Sequence, residues 1–211
     1  ECIDLGDYDN DGDLYIIVAG HDNGDPRNKL FKNNGTSFVL DVAVLNEGRN
    51  DCDTSFGDID NDGDLDLIEL GAFFASAQAD VFINENGAPS YNSSWASSLA
   101  DTKYGALALG DYNNDGKLDV LWTGNYIAKV YNNTGTNFTE DTTFDTNLTG
   151  ISYSSTAWVD IDNDMDLDTL LTGYLGSDNY LAKIYISNNS LYKNNSIPYP
   201  PSNFSNYSLA N

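Results

Sequence analysis

Positive charge is scarce in this sequence. Its 211 residues hold 9 Lys and Arg against 33 Asp and Glu, for a formal charge of −24. A surface of that sign lacks the basic side chains that neutralise phosphates, which excludes nucleic acid as a partner and sets the chain against an anionic membrane face. No run of 18 apolar residues occurs, so no segment is long and apolar enough to insert as a membrane-spanning helix. Histidine is limited to His21, which stands beside Asp, Asn and Gly after a strand-like run and reads as a solvated turn residue rather than a general base. There is no G-x-S-x-G, no H-E-x-x-H and no phosphate-cradling glycine loop. Cysteine is limited to Cys2 and Cys52, an even count that permits one disulfide in an oxidising compartment or two buried free thiols otherwise. Glu1 carries neither an initiator Met nor a signal peptide, which reads as a processed product or a piece of a longer chain.

What is abundant is Asp, with 28 against 5 Glu, and 17 of the Asp fall within four nonapeptides. An acidic disordered tail disperses its charge and has few aromatics, whereas this chain carries 9 Phe, 3 Trp and 14 Tyr between short apolar runs. It has the means to bury a core.

The nonapeptides are DYDNDGDLY, DIDNDGDLD, DYNNDGKLD and DIDNDMDLD, beginning at Asp7, Asp58, Asp111 and Asp160 with offsets of 51, 53 and 49. A period near fifty residues marks a repeat architecture. Each unit has the same order. Small and apolar residues precede the acidic segment, and a β-branched run follows it to Gly20, Gly71, Gly124 or Gly173. A third run, NKLFKNNG, ADVFINENG, AKVYNNTG or AKIYISNN, alternates apolar and polar residues. A weaker fourth strand closes the unit. The pattern predicts an all-β, β-propeller-like array of four four-stranded antiparallel blades, as a four-bladed ring or part of a larger propeller. The repeats lie at about 1–49, 50–102, 103–151 and 152–195, and the Pro-rich segment 196–211 reads as an extended tail.

Carboxylates at alternate positions of a tight loop supply the oxygens that Ca²⁺ prefers. Positions 1, 3, 5 and 9 offer side chains, position 7 a carbonyl, and a glycine at position 6 allows the sharp turn. The second loop fits throughout, with Asp58, Asp60, Asp62 and Asp66 and the carbonyl of Asp64. The third offers Asp111, Asn113, Asp115 and Asp119 with the carbonyl of Lys117, one charge fewer. The first offers Asp7, Asp9 and Asp11 with the carbonyl of Asp13, but Tyr15 stands at position 9, so a weaker site is expected. The fourth offers Asp160, Asp162, Asp164 and Asp168 with the carbonyl of Asp166, while Met165 replaces the glycine where positive φ is expected. An EF-hand would need flanking helices and a Glu at position 12; Val18, Glu69, Trp122 and Leu171 stand there. The expectation is up to four Ca²⁺ ions in a structural role.

D-x-D-x-D-G-x-x-D between strands, at fifty-residue intervals over about residues 1–195, resembles the FG-GAP/VCBS repeats of integrin-α-like β-propellers. The resemblance implies calcium loops joining the first two strands of each blade, an extracellular setting and an adhesive or structural role.

Asn-x-Ser/Thr occurs at Asn34, Asn92, Asn132, Asn137, Asn147, Asn188, Asn194, Asn203 and Asn206. Composition alone predicts about 4 such sequons, so surface glycan acceptors are expected beside those that arise by chance. Tyr8, Tyr112, Trp122 and Trp158 could form a sugar-binding platform, but their place in strand patterns favours core packing. Taken together, the residues and the resemblance lead to a secreted, calcium-stabilised, non-catalytic binding module whose partner is an extracellular protein or glycan. A protomer of a glycosylated fibre or surface layer that binds copies of itself through its tail is the alternative. A polysaccharide-active enzyme stands third, because the cation loops already use the carboxylates.

Overall fold

The computed structural model describes residues 1–22, 25–42, 49–73, 76–145, 147–187 and 193–196. Among them, sixteen strands form four antiparallel sheets, each a meander in chain order. The first contains β1 (Cys2–Gly6), β2 (Tyr15–Asp22), β3 (Asp25–Asn33) and β4 (Phe38–Val42). The second contains β5 (Asn50–Gly57), β6 (Asp66–Phe73), β7 (Ser76–Asn84) and β8 (Pro89–Tyr91). The third contains β9 (Leu107–Gly110), β10 (Asp119–Gly124), β11 (Ile127–Asn133) and β12 (Phe138–Glu140). The fourth contains β13 (Ser152–Val159), β14 (Asp168–Gly176), β15 (Asn179–Ile186) and β16 (Lys193–Ser196). Every acidic nonapeptide joins the first strand of a sheet to the second. His21 lies in β2 opposite Pro26 rather than in a turn, because the β2–β3 ladder continues to the pair Asp22 and Asp25. Beyond Ser196 the Pro-rich tail lies outside the described residues.

Two helical turns, α1 (Ser93–Ala96) and α2 (Thr142–Asp145), follow the fourth strands of the second and third sheets. They are too short to leave a period in the sequence. The Asn92 side chain caps α1 by accepting from Ser94 N at 3.1 Å and Trp95 N at 3.4 Å. Buried Trp95 then packs edge-on against Phe138 of the next sheet.

The sheets stack in series through their first strands, in the order β1, β5, β9, β13. Period two along the strands sends alternate residues into different cores. In β10, Val120 and Trp122 join Ile68, Leu70 and Val81 of the second sheet, while Leu121 joins Leu171 and Tyr185 of the fourth. A third core sets Tyr15, Ile17 and Leu30 against Leu67 and Phe82. Tyr8 and Trp122 are thereby core residues, and Tyr112 stacks on Trp158 with centroids 5.8 Å apart.

One device repeats at each junction. The leucine at position 8 of a loop points at the glycine that ends the preceding first strand: Leu65 at Gly6, Leu118 at Gly57, Leu167 at Gly110. A Cβ on Gly57 would lie 2.5 Å from Leu109 Cδ1 and 3.0 Å from Leu118 Cδ1, so only glycine leaves room for the plug. Among the described residues the series does not close on itself. β13 and β1 do not pack together as successive first strands do. Val159 stands where the socket glycines stand in the other sheets. Leu14, the corresponding plug of the first sheet, is 48% exposed, and Ile3 and Leu5 of β1 are exposed as well. Among the described residues the four blades form a series whose first and last members do not pack together as neighbours.

A disulfide joins Cys2 of β1 to Cys52 of β5, with Cα atoms 5.8 Å apart. Nearby, the first two sheets share a buried polar group. Glu69 in β6 accepts from Asn28 Nδ2 at 3.0 and 2.8 Å, and Arg49 pairs with Asp80 beside it. Burial, and then the Asp80 charge, push the Glu69 carboxyl up to about 8. The unfolded chain releases this proton near the ordinary carboxylate range, whereas the folded chain holds it. Stability from Glu69 is therefore full below about pH 4.5 and is lost as pH rises toward 8. Glu69→Gln should flatten the fall in melting temperature between pH 5 and 8 and stabilise the protein at the upper end. Thermal melts of both proteins at fixed calcium test this, and identical pH profiles would refute it.

Candidate cation-binding loops and an aromatic surface

The four loops close in the same way. The first Asp accepts from backbone N–H groups on the far side of the turn: Asp58 from Asp62 N at 3.0 Å and Gly63 N at 3.1 Å, Asp160 from Asp164 N and Met165 N, both at 3.1 Å. Asp111 does so from Asp115 N at 2.9 Å and Gly116 N at 2.8 Å, and Asp7 from Gly12 N at 3.1 Å. Carboxylate oxygens converge within 4.8 Å of one another in three loops, from Asp7, Asp9 and Asp11, from Asp58, Asp60 and Asp62, and from Asp160, Asp162 and Asp164. In the second loop Asp60 Oδ1 is buried and has no hydrogen-bond partner. Burial and then the Asp62 charge raise the Asp60 pKa. An unpartnered carboxylate oxygen among convergent anions suits a hard divalent cation, so the second loop fits one on both counts and the fourth on its convergent carboxylates. Met165 has φ 73°, matching Gly63 at 97°, and its side chain is 82% exposed. The fourth loop thus keeps the turn geometry at the cost of a left-handed non-glycine residue.

The ninth residue has a different setting from the other expected ligands. Asp66, Asp119 and Asp168 are fully buried and lie outside the three convergent groups. Each carboxylate ties two backbone segments together. Asp66 accepts from Ile59 N and from Asn84 N, both at 2.8 Å; Asp119 accepts from Tyr112 N at 3.2 Å and Asn133 N at 2.7 Å; Asp168 accepts from Ile161 N at 2.9 Å and Ser187 N at 2.7 Å. Burial pushes Asp66 and Asp119 up to about 7. This residue fastens the loop to the third strand of its sheet.

Two asparagine positions escaped the ligand pattern. The fourth loop residue is Asn10, Asn61, Asn114 or Asn163, with φ of 57, 60, 60 and 60°. Each of the first three reaches the following loop: Asn10 Nδ2 donates to Gly63 O at 3.1 Å and Asp64 Oδ1 at 2.8 Å, Asn61 to Gly116 O at 3.1 Å, Asn114 to Asp166 Oδ1 at 3.2 Å. At the end of the third strand, Asn84 Nδ2 donates to Tyr8 O and Leu65 O, and Asn133 Nδ2 to Ile59 O and Leu118 O. Identity at position 4 in all four nonapeptides was the signal available in the sequence.

The first and third loops hold lysines. Lys32 from β3 contacts Asp9 and lies 3.1 Å from Asp11 Oδ2, and Tyr15 Oη donates to Asp9 at 3.0 Å. Burial works to raise the Asp9 pKa, but the Lys32 and Tyr15 hydrogen bonds outweigh it and hold it low. A divalent ion entering the first loop competes with this ammonium, although Asp7 Oδ1 and Asp9 Oδ1 remain unpartnered there. In the third loop Lys117 Nζ lies 2.8 Å from Asp115 Oδ2, and Asn113 Nδ2 donates to Asn132 Oδ1 at 2.9 Å.

Of the sequons, Asn34 is exposed in the β3–β4 turn, and Asn92, Asn132, Asn137 and Asn147 are half-buried. Asn194 lies in β16, and Asn188, Asn203 and Asn206 lie outside the described residues.

At the opposite end of the third and fourth sheets, away from the loops, five tyrosines adjoin one another: Tyr104, Tyr126, Tyr153, Tyr174 and Tyr180. They are spread over 77 residues of sequence and left no local pattern.

Lys32→Met removes the competing ammonium while keeping its stem. Terbium luminescence titration should then show tighter occupancy, by about tenfold or more, at one loop of the variant. Unchanged binding curves would show that Lys32 does not compete for the first loop.

No curated protein matches this sequence. A solved structure of an Agrocybe aegerita lectin, described as specifically recognising non-reducing terminal N-acetylglucosamine, superposes with a TM-score of 0.57 at 20% identity. The match covers 90% of this chain and 50% of that one, so the chain spans about half the length of that structure and shares its fold. The FG-GAP-like repeat family matches residues 7–69 and 111–171. With more than half of its residues in those matches, and with four sheets each hinged on an Asp-rich loop, the chain belongs to the FG-GAP-like repeat family.

Proposed function

We propose that this chain is a calcium-stabilised, non-catalytic binding module that works outside the cell, with a glycan or an extracellular protein as its ligand. The observation that carries the calcium part is the convergence of Asp58, Asp60 and Asp62, and of Asp160, Asp162 and Asp164, at equivalent places in two sheets, with Asp60 Oδ1 buried and unpartnered. Calcium supplies a double positive charge that relieves repulsion among these carboxylates and pins the crossover between first and second strands. In the second and fourth loops those Asp residues would hold it. The third loop offers Asp111, Asn113 and Asp115 with less charge, and the first offers Asp7, Asp9 and Asp11 against Lys32. The Cys2–Cys52 bridge and the exposed Asn34 sequon support an oxidising, extracellular setting. The lectin that shares the fold supports a binding role.

At millimolar calcium and dissociation constants of about 0.1–1 mM, each occupied loop contributes about 0.4–1.4 kcal/mol. Chelation by EGTA should lower the melting temperature by roughly 5–15 °C. An unchanged melt removes calcium from the account.

A second reading, assembly with copies of itself, draws on the uncovered apolar face of the first sheet, where Ile3, Leu5 and Leu14 are exposed. Light scattering in millimolar calcium should then show particles larger than one chain that Leu14→Lys disperses. Monomers throughout would eliminate it.

A further inference from the structure

We propose that the tyrosine surface across the junction of the third and fourth sheets is a binding site for neutral sugar rings. The inference deepens the binding-module reading and rests on it, but not on calcium.

Its starting point is backbone strain. Tyr104, Tyr126 and Tyr153 have φ of 55, 62 and 48°. Among the described residues, every other left-handed non-glycine residue is Asn, Asp or Ser, apart from Met165 of the fourth loop. Asn and Asp tolerate this conformation, while a bulky side chain there is an outlier. Tyr104, just before β9, and Tyr153 in β13 each stand seven residues ahead of the first Asp of their loop, as does Asp51 in the second sheet, which has φ 52°. The β5–β6 and β13–β14 ladders are both irregular at this place.

The backbone shape is therefore a property of the repeat. It is enforced from outside: Tyr104 N donates to Asp51 O at 3.0 Å, Asn125 N to Lys103 O at 3.2 Å, and Tyr126 N to Ile151 O at 3.1 Å and Ser152 Oγ at 3.1 Å. The second sheet makes the shape with an aspartate. Tyrosine is not needed to fold it.

Core packing does not account for the rings either. Tyr126, Tyr153 and Tyr180 are 54, 64 and 55% exposed. Irregular strand positions re-aim side chains near functional sites, and over-determined strain collects at ligand clamps. The rings form one connected set, with centroids 4.6 Å apart for Tyr104 and Tyr153, 6.2 Å for Tyr153 and Tyr174, 6.4 Å for Tyr126 and Tyr174, and 5.4 Å for Tyr174 and Tyr180.

The chemistry of the rim selects the ligand. Ring faces pack the C–H faces of a pyranose, and phenol hydroxyls serve as donors and acceptors. Exposed Asp178 and Asn125 and half-buried Asp51 adjoin these tyrosines in sequence or through the backbone, and Lys103 Nζ lies 5.2 Å from the Tyr104 ring centroid. A rim that offers carboxylates, an amide and an ammonium suits a ligand whose hydroxyls both donate and accept. A proline-rich peptide offers mainly carbonyl acceptors and lacks N–H groups at proline. The charge of −24 repels sulfated and sialylated sugars, so neutral ones remain.

The full chain should be assayed by biolayer interferometry against immobilised neutral oligosaccharides of glucose, galactose, mannose and N-acetylhexosamines, with sialylated and sulfated controls. At least one neutral series should bind and the anionic controls should not. Tyr153→Asp, which copies the second sheet, and Tyr126→Asn should each weaken binding tenfold or more without lowering the melting temperature. Tyr153→Phe should stay within about threefold of the parent.

No binding to any neutral sugar, or binding that these variants leave unchanged, overturns the proposal. So does tyrosine-dependent binding of a synthetic peptide of residues 197–203 in place of sugar. Repeating the assay in EGTA separates the two readings. A protein whose melt ignores EGTA but which still binds sugar through Tyr153 refutes the calcium role and upholds the tyrosine site.

Discussion

The buried carboxylate at the ninth loop position holds the architecture together. In three of the four blades it receives one N–H from its own loop and one from the end of the third strand, at 2.7 to 3.2 Å. A carboxylate can be fully buried only when its lone pairs are occupied, so loop, second strand and third strand must come together for any one of them to be stable. The asparagines that follow, Asn84 and Asn133, carry the tie across to the preceding loop. The first blade departs from this rule. Tyr15 replaces the aspartate and bonds Asp9 instead, and Lys32 supplies a cation from within the chain.

Between blades the contacts are apolar and directional. A leucine enters the space left by a missing Cβ, and the same relation recurs from Gly6 through Gly57 to Gly110. Such an interface is directional, with a plug on one face of a blade and a socket on the other. Here those faces differ: Leu14 is exposed on the first blade, while on the last Val159 fills the glycine position. Among the described residues, three cores lie between successive sheets, as the same geometry requires.

The two ends of the blades carry different chemistry. Carboxylates gather at the end where first strands cross to second strands, and tyrosines gather at the other end of the third and fourth sheets. Cations at one end can stiffen the scaffold without entering the opposite surface. Under the proposed function, the ion would support the fold at one end and the ligand would be met at the other.

The repeat, the strands and the loops were legible in the chain because each is local. Alternation, turn residues and carboxylate spacing act within a dozen residues, and four copies average out the noise of any one. The position-4 asparagines were equally local; their sameness across the loops was visible although their inter-loop bonds were not. The rest depends on residues that meet only in three dimensions. Lys32 reaches Asp9 across 23 positions of the first sheet, and Tyr104 meets Tyr153 across two blades. The ninth aspartate has the spacing of a ligand, and only the approach of the third strand makes it a buried tie. Local sequence thus determined what each blade is, and tertiary packing decided which loop carboxylate oxygens lack a partner, which tyrosines converge and how one blade seats on the next.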